Sequence, residues 1–205
     1  MDKISETLVI LDHIGRIIKS RADYCKRHIP FDTLEAVGSK MNEYIERGFE
    51  PKDLRTEEIA NKISRECADI RIALHNYTRL NIIDMFSFND EYNKFFNEKH
   101  IEDPELQIRI LKVKRKNKNI RKKLNWDQLK RFRNVVMAHN LRDKHDSNKL
   151  SINILKEINE LMMNHQKGVE YADVVINIFE NIKLEFENEI NLANQRFIEK
   201  ARENN

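Results

Sequence analysis

The chain contains few of the residues that tight turns need. Its 205 residues include only four glycines and three prolines, and no Asn-Gly or Asp-Gly pair occurs. Hairpin turns depend on such residues, because they require a positive or a fixed φ angle. The scarcity argues against a hairpin-rich β fold and predicts an all-helical protein. At this length we expect a single domain that spans residues 1–205.

Cysteine and long apolar runs are also scarce. Cys25 and Cys67 are the two cysteines and lie 42 residues apart, so they predict neither a disulfide framework nor a cysteine-rich zinc site. No apolar run approaches the roughly 18 residues that a membrane span requires. The first residues are polar and acidic, unlike a secretory signal. We therefore expect a cytoplasmic protein without a membrane partner.

Several enzyme motifs are absent as well. The sequence contains no HExxH, no GxxxxGK[ST] and no GxSxG, which are the motifs of zinc proteases, P-loop enzymes and serine hydrolases. No Glu-x-x-His occurs, which argues against a di-iron carboxylate bundle. Asp143, His145 and Asp146 lie close in sequence, and we interpret them as a polar loop. Neither a metal nor a cofactor is predicted.

Apolar residues three and four positions apart predict a series of amphipathic helices, and Pro, Gly and capping residues predict their ends. The predicted helices cover about residues 3–27, 33–47, 57–85, 104–118, 126–140, 150–166 and 169–200. Gly168 is predicted to separate the last two. The aromatic stretch 86–103 is predicted to be irregular with one short helix, its rings used for packing rather than for base stacking. A bundle of about five to seven helices is expected.

Positive charge is concentrated between residues 101 and 150. This segment has 15 Lys and Arg against 6 Asp and Glu, whereas the whole chain has a net charge of only +3. Such clustering is the electrostatic footprint of a polyanion partner. The candidate RNA-binding residues are Arg109, Lys112, Lys114, Arg115, Lys116, Lys118, Arg121, Lys122, Lys123, Lys130 and Arg131. The alternative is a solvated basic loop without a partner.

Arg133 and His139 lie at the two ends of a largely apolar segment, with Asn134 directly after the arginine. An arginine can hold a phosphate through two parallel hydrogen bonds, and a histidine can transfer protons near neutral pH. Residue types of this kind point to chemistry on a phosphodiester. The alternative is that both side chains are half-buried and have only a structural role.

The faces of the predicted helix 126–140 place these two side chains. At about 100° per residue, Leu129, Phe132 and Val136 share one apolar stripe, with Arg133 and His139 about 60° to either side of Val136. The pair is separated by about 9 Å along the axis, too far for direct contact. A helix kink, a bound phosphate or a second copy of the helix could bring them together, and an isologous dimer is the simplest of these.

The segment from Arg133 to His139 resembles the R-x(4–6)-H motif of the HEPN superfamily, with five residues between Arg and His and a polar Asn134 after the arginine. The resemblance implies a homodimeric, metal-independent endoribonuclease in which Arg133 and His139 are catalytic and Asn134 supports them. It also implies a toxin or abortive-infection role, with an antitoxin protein as a further partner. Leu141 stands where some toxins of the superfamily carry the tyrosine that an antitoxin modifies, and this departure argues against an antitoxin of that kind.

The resemblance also implies how such an enzyme would act. His139 would serve as general acid or base, and Arg133 would stabilise the phosphoryl oxygens in the transition state. The expected products are a 2′,3′-cyclic phosphate and a 5′-hydroxyl, and DNA would be spared because it lacks the 2′-hydroxyl. The alternative function is a catalytically inactive HEPN-like module that binds RNA or protein. A helical bundle with a purely structural role is a third interpretation.

Overall fold

The computed structural model describes residues 2–32, 34–138 and 164–203. In these ranges the chain forms α-helices joined by short turns and contains no β-strand, which confirms the predicted all-α bundle of five to seven helices. No described helix is both long and apolar enough to cross a membrane. The helices are α1 Lys3–His28, α2 Leu34–Glu46, α3 Glu57–Lys94, α4 Pro104–Arg121, α5 Trp126–Ala138 and α6 His165–Glu203.

Short polar side chains directly before a helix cap its first turn. The Asp2 carboxylate accepts a hydrogen bond from the Ser5 N–H at 2.8 Å, and the Asp103 carboxylate accepts one from Glu105 N–H at 2.8 Å. Each cap satisfies a backbone donor that the first turn leaves unpaired. Pro104 begins α4, a position at which its missing N–H costs nothing. These ends agree with the predicted starts of the first and fourth helices.

The predicted end of the third helix is wrong. Instead of stopping near Met85, α3 continues through the aromatic stretch to Lys94, and the short helical turn that follows covers only Glu98–His100. The aromatic residues at positions 86, 88 and 92 are buried and extend the apolar face of the helix, and Phe96, just after its end, is buried as well. Their burial in the core outweighs their modest helix propensity. The interpretation that the aromatic stretch serves packing is confirmed for these four rings, whereas Phe95 is 37% exposed.

Gly168 does not separate two helices. It lies inside α6, which begins at His165 behind a cap in which Asn164 accepts a hydrogen bond from Lys167 N–H at 2.9 Å. A Cβ at position 168 would stand 2.8 Å from Cγ2 of Thr78. The glycine is therefore explained by the close approach of α3 and α6. The predicted helix 150–166 lies largely outside the described residues.

Among the described helices, α1 makes the two most extensive contacts, one with α3 and one with α6. Lys19 forms an ion pair with Glu180. Lys26, nearer the C-terminal end of α1, forms one with Asp173, which is earlier in α6. The order of these pairs shows that α1 and α6 are antiparallel. The main hydrophobic core lies between α1, α3, α4, α5 and α6. The helix with the sequence motif, α5, is thus anchored to the centre of the bundle.

Gly15 marks the closest contact between α1 and α6. A Cβ built there would stand 2.5 Å from ring atoms of Phe179, a side chain that is itself only 2% exposed. No real Cβ could occupy that space without moving the ring. Only glycine lets the two helices come this close. On helix propensity alone, α1 would be more stable with alanine at this position.

Gly15→Ala is expected to lower the free energy of unfolding by about 1–3 kcal/mol, the usual cost of overpacking a buried contact. Gly38→Ala is the matched control, because Gly38 also lies in a helix but has nothing within 4 Å of the added Cβ. That variant should be more stable by about 0.5–1 kcal/mol. Urea unfolding of both variants measures the difference, and equal stabilities would contradict the tight α1–α6 contact.

Candidate active site and basic cleft

The start of α5 is fixed by two side chains. Asn125 accepts a hydrogen bond from the Gln128 N–H at 3.1 Å, as the sequence predicts for a cap. The indole Nε1–H of Trp126 donates to the carbonyl oxygen of Arg121 at 3.0 Å and so ties α5 to the end of α4. Further along, Leu129 and Phe132 are buried in the core. These contacts set both the position and the rotation of the motif helix.

Arg133 lies at the edge of that buried face, as the face geometry predicts. Its side chain is 30% exposed, and its guanidinium carbon lies 4.1 Å from the centroid of the Phe86 ring. Nη1 of Arg133 lies 3.7 Å from a carboxylate oxygen of Asp90, which also pairs with Lys94 at 3.2 Å. Stacking and ion pairing hold the cation on α3 and keep part of it open to solvent.

The rest of the predicted catalytic set is placed only in part. Asn134 lies within α5, the helix that carries Arg133. His139 lies outside the described residues, as do Asp143, His145 and Asp146, so the pairing of Arg133 with His139 stays a prediction. In the described ranges, no group of three or more His, Cys, Asp and Glu is arranged to hold a metal ion.

One face of α4 is neutralised by α6. Nε of Arg109 lies 3.4 Å from a carboxylate oxygen of Glu185, and its guanidinium also bonds Glu189 and covers the Phe186 ring at 4.5 Å. Lys112 pairs with Glu185 at 2.8 Å. The hydrogen bond from Lys112, together with Arg109, holds the pKa of Glu185 below its usual value. Arg109 and Lys112 therefore belong to the contact between helices, a role that the sequence did not predict.

The opposite side of α4 forms an open cleft of about 510 Å³ against α3 and the start of α5. None of the described residues that line it is acidic. We call it the basic cleft and define it by its five cations, Lys114, Arg115, Lys118, Arg121 and Lys122. The carboxylate nearest to them belongs to Glu98, 3.9 Å from Nζ of Lys114. Residues 109–121 are therefore helical, and their cations lie on two different faces of α4. The alternative of a solvated loop does not hold for this range.

Arg121 is the most enclosed cation of the basic cleft. Its guanidinium carbon lies 5.3 Å from the ring centroid of Tyr92 and 5.9 Å from that of Trp126, and Nη2 donates to Asn89 at 3.0 Å. Nε is buried and has no hydrogen-bond partner among the described residues. Burial lowers the pKa of Arg121, and it also lowers that of Lys114, where Arg121 adds to the effect. Glu98 offsets part of the charge of Lys114, and Arg121 forms no ion pair with any described residue.

The remaining candidates divide by position. Lys116, Lys123, Lys130 and Arg131 are exposed but do not line the basic cleft. Sequence reasoning missed Phe86, Asp90, Asn89 and Tyr92, all on the part of α3 beyond its predicted end. Continuing the three-and-four spacing of α3 past Met85 would have placed Phe88 and Tyr92 on the buried face. Nothing in the sequence indicates that Asp90 faces Arg133, because that contact depends on how α3 and α5 pair.

A buried polar cluster at the start of α6 offers a second place to look for chemistry. Thr78 and His165 hydrogen-bond at 3.0 Å, and the rings of His75 and His165 meet edge to face at 4.7 Å. Cys25 lies in the same region, and burial raises its pKa to about 11. The thiolate is the nucleophilic form of cysteine, so this burial disfavours a nucleophilic role for Cys25. The cluster is a packed polar contact between α1, α3 and α6.

Comparisons with family models, curated proteins and solved structures find no match to this chain. Two features of the chain itself indicate a function: the motif that includes Arg133, and the basic cleft at the start of α5.

Proposed function

We propose that this protein is a metal-independent endoribonuclease of the HEPN type, with a toxin or defence role. The observation that carries the proposal is the spacing of Arg133, Asn134 and His139, with Arg133 at the edge of a helix whose apolar face is buried. A cation that stacks on Phe86 keeps its N–H groups in a fixed plane, ready to bind two phosphoryl oxygens. The basic cleft supports the choice of RNA as the polyanion.

The proposed reaction is an internal transfer of the phosphoryl group. The ribose 2′-oxygen attacks phosphorus, the bond from phosphorus to the 5′-oxygen breaks, and the 2′-hydroxyl proton passes to a base while an acid protonates the leaving oxygen. His139 performs acid–base work, and Arg133 stabilises the negative charge that grows on the phosphoryl oxygens. On a helix that continued through His139 the two residues would be about 9 Å apart along the axis, so we propose that a homodimer combines them across a two-fold axis.

The test is cleavage of a defined single-stranded RNA by purified protein in excess EDTA. We expect products that end in 2′,3′-cyclic phosphate and 5′-hydroxyl, with the all-deoxy strand of the same sequence left intact because the attacking hydroxyl is missing. Mass spectrometry of the fragments identifies both ends. Cleavage that stops in EDTA, or fragments with 3′-hydroxyl ends, would overturn this mechanism.

A catalytically inactive HEPN-like module that binds RNA is the second candidate. The basic cleft favours it, because five cations beside the single described carboxylate of Glu98 suit RNA binding whether or not cleavage follows. Under this function the purified protein would retain RNA in a binding assay and leave it uncut. The same EDTA experiment, followed by recovery of intact RNA from the complex, separates the two candidates.

A further inference from the structure

The two sides of α4 differ in how their charge is balanced. On the side that faces α6, the carboxylates of Glu185 and Glu189 neutralise Arg109 and Lys112. In the basic cleft, Lys118 and Lys122 have no ion pair with any described residue. Cations crowded in this way repel one another, and a site of this kind gains free energy when an anion enters.

Arg121 is arranged as a receptor for that anion. Tyr92 and Trp126 flank its guanidinium, and Asn89 accepts from one of its three nitrogens. A guanidinium held in this way loses little side-chain entropy on binding a phosphate. Its buried Nε lacks a partner in the described part of the chain. A phosphate oxygen is the kind of acceptor that would satisfy it.

The basic cleft and Arg133 lie along one side of α5. Trp126, which lines the cleft, precedes Arg133 by seven residues, so the two side chains are about 20° apart around the axis and about 10.5 Å apart along it. On α3 the residues run the opposite way, with Asn93 in the cleft and Asp90 beside Arg133. The charges of one strand in a duplex are about 3.4 Å apart along the axis, and an unstacked single strand spaces its phosphates further, so the separation covers about two to three nucleotides.

We propose that the basic cleft is a binding subsite for single-stranded RNA, which holds a backbone phosphate about two to three nucleotides from the one at Arg133. The inference rests on the proposed function, and it adds a second phosphate contact that positions the strand. Five cations exceed the charge of one free phosphate, and a volume of about 510 Å³ leaves room for a nucleotide beside Trp126. Free phosphate shares the same chemistry, so the experiment must distinguish the two.

The experiment compares two double variants, each made in the His139→Ala background so that binding is measured without cleavage. Lys118→Gln with Lys122→Gln removes two charges from the basic cleft. Lys116→Gln with Lys123→Gln removes the same charge from exposed positions outside it. Fluorescence anisotropy with a labelled single-stranded RNA octamer gives Kd at several salt concentrations. Inorganic phosphate and a mononucleotide serve as competitors.

The cleft variant should bind the octamer about tenfold more weakly or worse, with a salt slope smaller by about 1.4, because two phosphate contacts are lost. The comparison variant should lose less than about threefold. Equal losses of affinity in both variants would overturn the subsite. So would a result in which inorganic phosphate displaces the labelled octamer as effectively as the mononucleotide does. The outcome is independent of catalysis: a wild-type protein that binds through the cleft but cuts nothing refutes only the nuclease.

Discussion

His139→Ala is expected to abolish RNA cleavage while it leaves the melting temperature within about 2 °C of wild type. General acid–base catalysis by one side chain contributes about 10²–10⁴-fold, so the residual rate should fall to the background of the assay. The described core contact of α5 is made upstream, by Leu129 and Phe132, and this substitution leaves it intact. Initial rates on a fluorogenic RNA and a thermal melt measure the two effects.

Arg133→Lys is the companion variant. An alanine at this position would also remove the stacking on Phe86 and the ion pair with Asp90, so lost activity could reflect altered packing. Lysine keeps the charge and loses the planar fork, and we expect activity to fall by about 10²–10³-fold. Full activity in His139→Ala, or a large fall in its melting temperature with activity per folded molecule preserved, would contradict the assigned role of the histidine.

Phe186→Ala is expected to lower the free energy of unfolding by about 3–5 kcal/mol, the largest stability loss that we predict. The Phe186 ring is fully buried, meets Phe96 edge to face at 5.6 Å and lies beneath the guanidinium of Arg109. Its backbone departs from helical values, with φ −124° and ψ 25°, so α6 bends where the ring enters the core. Truncation would leave a cavity and remove the support of the ion pairs between α4 and α6.

The matched control is Leu184→Ala, two residues earlier in α6. Leu184 is 76% exposed, so its truncation should change the free energy of unfolding by no more than about 0.5 kcal/mol. Guanidinium unfolding of both variants gives the comparison, and Phe186→Ala should lower Tm by about 6–20 °C for a chain of this size. A loss below about 1 kcal/mol would show that Phe186 does not anchor the bend of α6.

Local signals in the sequence were enough to predict most helix ends. Asp2, Asp103 and Asn125 accept backbone hydrogen bonds at helix starts, and each such cap acts within three residues of itself. The two errors have a common cause. The continuation of α3 to Lys94 and the place of Gly168 inside α6 both depend on contacts with distant parts of the chain, and burial there outweighs local preference.

The candidate site follows the same division. The position of Arg133 at the edge of the apolar face could be derived, because residue spacing fixes its angle on α5. The sidedness of the basic stretch could not, since Arg109 and Lys112 turn toward glutamates of α6 more than 70 residues away, as in the 76-residue separation of Arg109 from Glu185. Charge counts locate a basic segment, and only the packing of α4 shows which of its cations are already neutralised.

Asp90 gives Arg133 an anionic partner before RNA arrives. Its carboxylate lies 3.7 Å from Nη1 of Arg133 and 3.2 Å from Nζ of Lys94, so it keeps a counter-ion when Arg133 turns to a phosphate. In the proposed enzyme, substrate entry then exchanges one anion for another and avoids the cost of exposing a bare guanidinium. In that enzyme the same carboxylate would recapture Arg133 when the product leaves, and a resident competitor of this kind would favour rapid turnover over tight retention of cleaved RNA.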